Sequence, residues 1–180
     1  MNRKSLIKQL ERYTTEWPEE KKMQSRMLEF LQRAADAYHR SCLEGHMTAS
    51  AWILNEKKDA VLLLHHAKLN KWLQPGGHAD GNENLAEVAL KEAQEETGLS
   101  SVCLDSEHIY DIDIHTIPAR KQEPEHFHFD VRFLIRADIN EPLLQNEESN
   151  ALKWVALTEI EKFTKEHSVL RMLYKLKNSA

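Results

Sequence analysis

The sequence predicts an α+β sandwich in which helices cover a mixed sheet, preceded by an N-terminal helical extension. Three patterns carry this expectation: helical apolar spacing through the first forty residues, short β-rich runs from residue 48 onward, and helical segments set between and after those runs. The extension, residues 1–44, reads as helices over 5–13 and 18–40. In the second of these Met23, Met27, Phe30, Leu31 and Ala34 form one stripe, which suits core packing or pairing of two copies into a homodimer. Pro18 followed by Glu19 and Glu20 is a favourable helix start, because proline fits the first turn and acids complement the helix dipole. Gly45 ends the helical block and opens the second unit, residues 45–180. Strands are predicted over 48–54, 60–64, 101–104, 110–117, 126–137 and 152–155. The alternation is clearest where Phe127, Phe129, Val131 and Phe133 share one face while His126, His128, Asp130 and Arg132 share the other. A helix over 84–97 interrupts the strands, and a last one carries Val169, Leu170, Leu173 and Leu176.

Composition narrows the function classes. The 180 residues are 41% apolar and 29% charged, a globular balance. A chain of this length can bury roughly 70% of its unfolded surface, so a metal would serve function and not folding. The longest aliphatic run, Ala60 to Leu64, is far below the roughly 20 residues of a membrane span. The basic N-terminal residues lack an apolar stretch of about 7–15 residues behind them, so the expected compartment is the cytoplasm. Cys42 and Cys103 have no framework spacing, suit a reducing environment and receive no chemistry. A net charge of −5 opposes a broad grip on duplex nucleic acid. It leaves room for a small anionic substrate if a cation reverses the local sign.

Four of the five glycines, Gly76, Gly77, Gly81 and Gly98, fall in one window. Pro75-Gly76-Gly77 reads as a tight turn, Gly81 as a second bend and Gly98 as a left-handed helix stop. The spacing from Gly76 to Gly81 is that of a phosphate-cradling loop, but Asn82-Glu83 stands where Lys and Ser or Thr are required. More telling are Glu92, Glu95 and Glu96, at i, i+3 and i+4 in the last turns of the helix. Each acid there opposes the helix dipole by roughly 0.3–1 kcal/mol. Ala86, Ala89, Leu90 and Ala93 form an adjoining apolar arc, which sets the acids beside a packed face. Two readings fit these residues: a solvated acidic face, or a hard divalent cation held by carboxylates with water and substrate phosphate.

Gly77, then Glu83, then Lys91-Glu92-Ala93-Gln94-Glu95-Glu96-Thr97-Gly98-Leu99 resembles the Nudix box, G-x5-E-x7-R-E-U-x-E-E-x-G-U, where U is a bulky aliphatic residue. Every glycine and glutamate of the pattern is present. The resemblance implies a Nudix-type α/β/α sandwich over residues 45–180 and hydrolysis of a diphosphate linked to another moiety. It also implies Mg²⁺ or Mn²⁺ held by Glu92, Glu95, Glu96 and the Gly77 carbonyl, with Glu83 in support. Lys91 replaces the family's arginine, and a flexible point charge braces a carboxylate less firmly than a guanidinium fork. Ala93 departs from the aliphatic position, a matter of packing. Glu95 or Glu96 is the expected general base, with a base outside the box as the alternative.

Outside the box, Arg120 and Lys121 could clamp phosphate, as could Lys68 and Lys71, against the alternative of ordinary solvated charges. Among ten histidines, His46, His78, His126 and His128 meet if their strands are neighbours. Such imidazoles suit a second, transition metal, against the alternative of hydrogen-bonded groove residues. The positions are similar to those at which isopentenyl diphosphate isomerases keep metal-binding histidines and acids. Three functions therefore compete: a metal-dependent hydrolase cleaving the pyrophosphate bond of a nucleoside diphosphate derivative or similar small molecule; an isomerase of allylic diphosphates; and a non-catalytic nucleotide-binding module. The isomerase is disfavoured because Cys42 and Cys103 are expected to lie away from the histidines.

Overall fold

A computed structural model describes residues 1–120 and 123–178. In chain order it contains α1 (Arg3–Arg12), α2 (Pro18–Arg33), β1 (Gly45–Asn55), β2 (Ala60–His66), β3 (Lys71–Leu73), β4 (Gly76–His78) and α3 (Leu85–Thr97). There follow β5 (Cys103–Leu104), β6 (Asp111–Ile117), β7 (His126–Ala137), β8 (Ser149–Ala156), α4 (Ile160–Phe163) and α5 (His167–Asn178). The sheet runs β3-β2-β1-β7-β5, with β4 on β1, β6 on β7 and β8 on β2. It is mixed, since β1 and β7 pair in parallel from Gly45 opposite Phe127 to Asn55 opposite Ala137 while the other pairings are antiparallel.

Period-two alternation decides what each face meets. Met47, Ala49, Ala51 and Ile53 of β1 join Phe129, Val131 and Phe133 of β7 in one core with Leu6 and Leu10 of α1, Phe30 and Leu31 of α2, and Val88 and Ala89 of α3. Phe30 stacks on Phe129 with ring centroids 4.0 Å apart. The extension thus shares its apolar core with the sheet. On the opposite face Trp52 and Leu54 pack with Val61, Leu63 and Val155 against Val169, Met172 and Leu173 of α5. Among the described residues no helix is long and apolar enough to cross a membrane.

Two differences from expectation shape the site, beside the unpredicted short elements β3 and α4. Helix α2 ends at Arg33, well before residue 40. The carbonyls that would continue it are claimed elsewhere: Met47 N–H donates to Ala37 O and Gly81 N–H to Tyr38 O, each at 2.8 Å. The glycine turn at 75–77 instead feeds a short strand, β4, in which Ser50, Ala49 and Thr48 face Gly76, Gly77 and His78. Gly98 is left-handed at φ 75° and closes α3, as its position predicts.

Beyond the polar half of the β7 face lies a buried ion network. Arg132, 2% exposed, reaches Asp130 at 2.8 Å, Asp111 at 3.2 Å and Asp113 at 3.3 Å. Arg171 of α5 grips Asp111 with two bonds, 2.9 and 2.8 Å. Lys175 bridges Asp111 at 2.8 Å and Glu20 of α2 at 2.5 Å, and Tyr13 donates to Glu20 at 2.6 Å. Burial alone would push Asp111 and Asp113 up. The surrounding cations and hydrogen bonds prevail and hold both below the usual carboxylate range.

Candidate active site

Helix α3 lies on β1 and β4 through Leu85, Ala86, Val88, Ala89 and Ala93, all buried. The small alanines let its last turns approach the β4 backbone closely. Glu96, only 6% exposed, accepts from Gly76 N–H at 2.8 Å. Glu92 lies over Gly77 so closely that a Cβ there would stand 2.6 Å from each carboxylate oxygen. Two acids therefore bracket two glycines, and a side chain at position 77 would displace Glu92.

Burial pushes Glu96 up to about 8; the Gly76 N–H opposes this, while Glu92, Glu148 and Glu95 add to it. Burial likewise raises Glu92, with Lys91 opposing and Glu95 and Glu148 reinforcing. These carboxylates offer oxygen donors only, and their mutual repulsion is what a bound divalent cation would relieve. The residues present fit Mg²⁺ or Mn²⁺.

The other residues picked from the sequence divide. Glu95 is exposed and paired with Lys91 at 3.0 Å across one helical turn, so Lys91 holds the outermost acid and draws it toward solvent. Glu83 receives the Arg3 N–H at 3.0 Å and lies 3.8 Å from its guanidinium, a tie to the extension. Arg120 is exposed on the loop after β6, whereas Lys121 lies outside the described residues. Lys71 is paired with Glu166 at 2.9 Å. Glu148, just before β8, was not signalled by any pattern. It stands in an unpatterned loop that the Ala67 N–H fastens at 2.9 Å, and only the fold brings its charge to bear on Glu92 and Glu96.

The four histidines do meet. Parallel pairing sets His46 opposite His128, and His78 enters from β4 opposite Thr48. The His46 ring centroid is 5.0 Å from those of His78, His126 and His128. His115 of β6, opposite His128, extends the row; its alternation with Asp111 and Asp113 was the overlooked signal. Burial, then the neighbouring cations and imidazoles, pushes His78 down to about 4; burial and the surrounding histidines push His128 down to about 2. The rings of His46, His78, His126 and His128 border a cavity of about 260 Å³ shared with Arg40, Arg120 and Glu123. Cys42 also lines this cavity, which corrects the expectation that it lies elsewhere. Burial and then a bond to Asp36 raise its thiol, so it is no ready nucleophile. A larger cavity, about 600 Å³ between the α1–α2 connection and α5, shares no lining residue with either cluster.

Comparison with known proteins agrees with this arrangement. A probable DHNTP pyrophosphohydrolase of Lactococcus lactis subsp. cremoris is 29% identical over 97 residues, 53% of this chain and 56% of the relative, so the match spans little more than half of that protein. A hydrolase of the NUDIX family from Clostridium perfringens superposes with a TM-score of 0.55 at 28% identity, covering 75% of this chain and 98% of the other. The E. coli dihydroneopterin triphosphate pyrophosphohydrolase gives 0.60 at 15% identity, with 74% and 96% covered, a likeness of fold alone. With the NUDIX domain model matching residues 45–176, most of its length, the chain belongs to the NUDIX family.

Proposed function

We propose that this chain is a metal-dependent hydrolase that cleaves the pyrophosphate bond of a nucleoside diphosphate derivative or similar small molecule by attack of water on phosphorus. The observation that carries the reading is the bracketing of Gly76 and Gly77 by Glu92 and Glu96, two half-buried to buried acids to which, among the described residues, no cationic side chain is hydrogen-bonded. Glu92, Glu96 and the Gly77 carbonyl would hold Mg²⁺ or Mn²⁺, with Glu95 joining them on leaving Lys91. The bound ion supplies charge neutralisation of the phosphate oxygens and a lowered pKa for water. Glu96, fixed by the Gly76 N–H, orients that donor set, and the alanine face of α3 keeps it against β4. Glu95 and Glu96 are the proposed proton acceptors; the solvent access of Glu95 supports its share of the role. Lys91 restrains Glu95 by one ion pair where an arginine could make two parallel bonds, which predicts a looser acid.

The test is a panel of nucleoside diphosphate derivatives, together with dihydroneopterin triphosphate from the E. coli neighbour's name, incubated with Mg²⁺ or Mn²⁺ in ¹⁸O-water. Cleavage with label in a phosphate product, abolished by chelator, is the expected result. Saturable binding of a panel member without product under either ion would overturn the reading in favour of a binding module.

A further inference from the structure

We propose that His46, His78 and His128 form a second metal site, for a borderline transition ion of the zinc type, distinct from the box carboxylates. Their donor atoms all lie within 4.8 Å of one another, and among the described residues they are the group of His, Cys, Asp or Glu that meets this condition. His78 Nε2 and His128 Nε2 are 3.2 Å apart. Metal–nitrogen bonds of 2.0–2.1 Å in tetrahedral array set neighbouring nitrogens about 3.3 Å apart, so this pair already spans one edge of such a site.

A separate observation comes from His46. It is 4% exposed, and among the described residues neither of its ring nitrogens meets a hydrogen-bond partner in good geometry. Burying a polar group in that state is costly, and ligation of one nitrogen removes the cost. The three ligands come from β1, β4 and β7, rigid elements whose register fixes them. The outer rings are oriented by their other nitrogens: His126 Nδ1 bonds Pro124 O at 2.9 Å, and His115 Nδ1 bonds Asp113 at 3.1 Å. Each keeps Nε2 as its remaining donor, and bonds of this kind typically orient the imidazoles around metals.

The donor set is all nitrogen, which selects zinc, iron, nickel or copper over magnesium. The fourth position is left to the cavity that Arg120 and His126 line, open to water or an anionic group. Gly77 and His78 are adjacent on β4, and successive Cα–Cβ directions point to opposite faces of a strand. Glu92 therefore covers one side and the histidines occupy the other, so the inference does not depend on the hydrolase reading.

The full chain, stripped by chelator, would be titrated with Zn²⁺ against a chromophoric competitor and with Co²⁺ by visible absorption. One tight equivalent and a tetrahedral cobalt spectrum are expected. His46→Gln and His128→Gln should each weaken Zn²⁺ binding at least about 100-fold, beyond the 10–100-fold typical of outer partners. Glu92→Gln should leave it unchanged. Should either histidine variant misfold, X-ray absorption of the zinc-loaded wild type decides: imidazole scattering supports the site, and an all-oxygen shell refutes it. Failure of the wild type to retain zinc, or loss of zinc in Glu92→Gln with retention in the histidine variants, would overturn the proposal.

Discussion

Glu96→Gln is expected to lower kcat for pyrophosphate cleavage at saturating Mg²⁺ by about 10²–10³-fold, the usual cost of one electrostatic group at a reacting centre. The same change should stabilise the metal-free protein at alkaline pH. Burial raises the folded-state pKa of Glu96 from 4.5 to about 8, so the fold favours the protonated acid. Its contribution to stability is complete below about pH 4.5 and is lost as pH rises through about 8. At 1.36 kcal/mol per pKa unit the loss is at most about 4–5 kcal/mol. Glutamine cannot ionise and lacks that loss. Urea denaturation at pH 6 and pH 8 in chelator, beside steady-state kinetics, checks both halves. An inactive variant that is more stable than wild type at pH 8 is the expected pair, and an active one contradicts the site.

Arg132→Met should cost about 3–5 kcal/mol of stability at pH 7, the range for removing one partner of a buried ion pair. The reason is what remains: Asp111, Asp113 and Asp130 stay buried and lose their shared cation. Arg171 and Lys175 still reach Asp111, but among the described residues Asp130 keeps the hydroxyls of Thr48 and Ser50 alone, at 2.9 and 2.8 Å. In the wild type Asp111 and Asp113 are held below their ordinary pKa, so their contribution is present above that value and lost as pH falls. In the variant these acids protonate more readily, and the deficit against wild type should narrow toward pH 5. Denaturation midpoints at pH 5 and 7 measure this; equal stabilities at pH 7 would contradict the network's role.

The site was legible where local rules and tertiary structure agree. Strand β7 was readable because a two-residue period cannot be satisfied by another element, and Gly98 because a left-handed stop leaves few alternatives. The box acids were conspicuous because a helix C-terminus disfavours them. What escaped depends on distant partners. The early end of α2 follows from carbonyls that β1 and the Gly81 loop claim. Strand β4 exists only because β1 offers an edge for two glycines. Glu148 and His115 enter through loop and register, which one-dimensional spacing does not encode. Cys42, expected away from the histidines, lines their cavity because the chain leaves α2 at Arg33 and turns back into β1.

Calorimetric titration of the metal-free chain with Mg²⁺ at pH 7, in two buffers of different ionisation enthalpy, bears most directly on the cation site. Glu96 is then largely protonated and must ionise to ligate, so binding should release a proton to the buffer. The Glu92→Gln, Glu96→Gln double variant should show neither the proton nor the binding. An identical isotherm in that variant would mean that magnesium sits elsewhere and that these glutamates do not hold it.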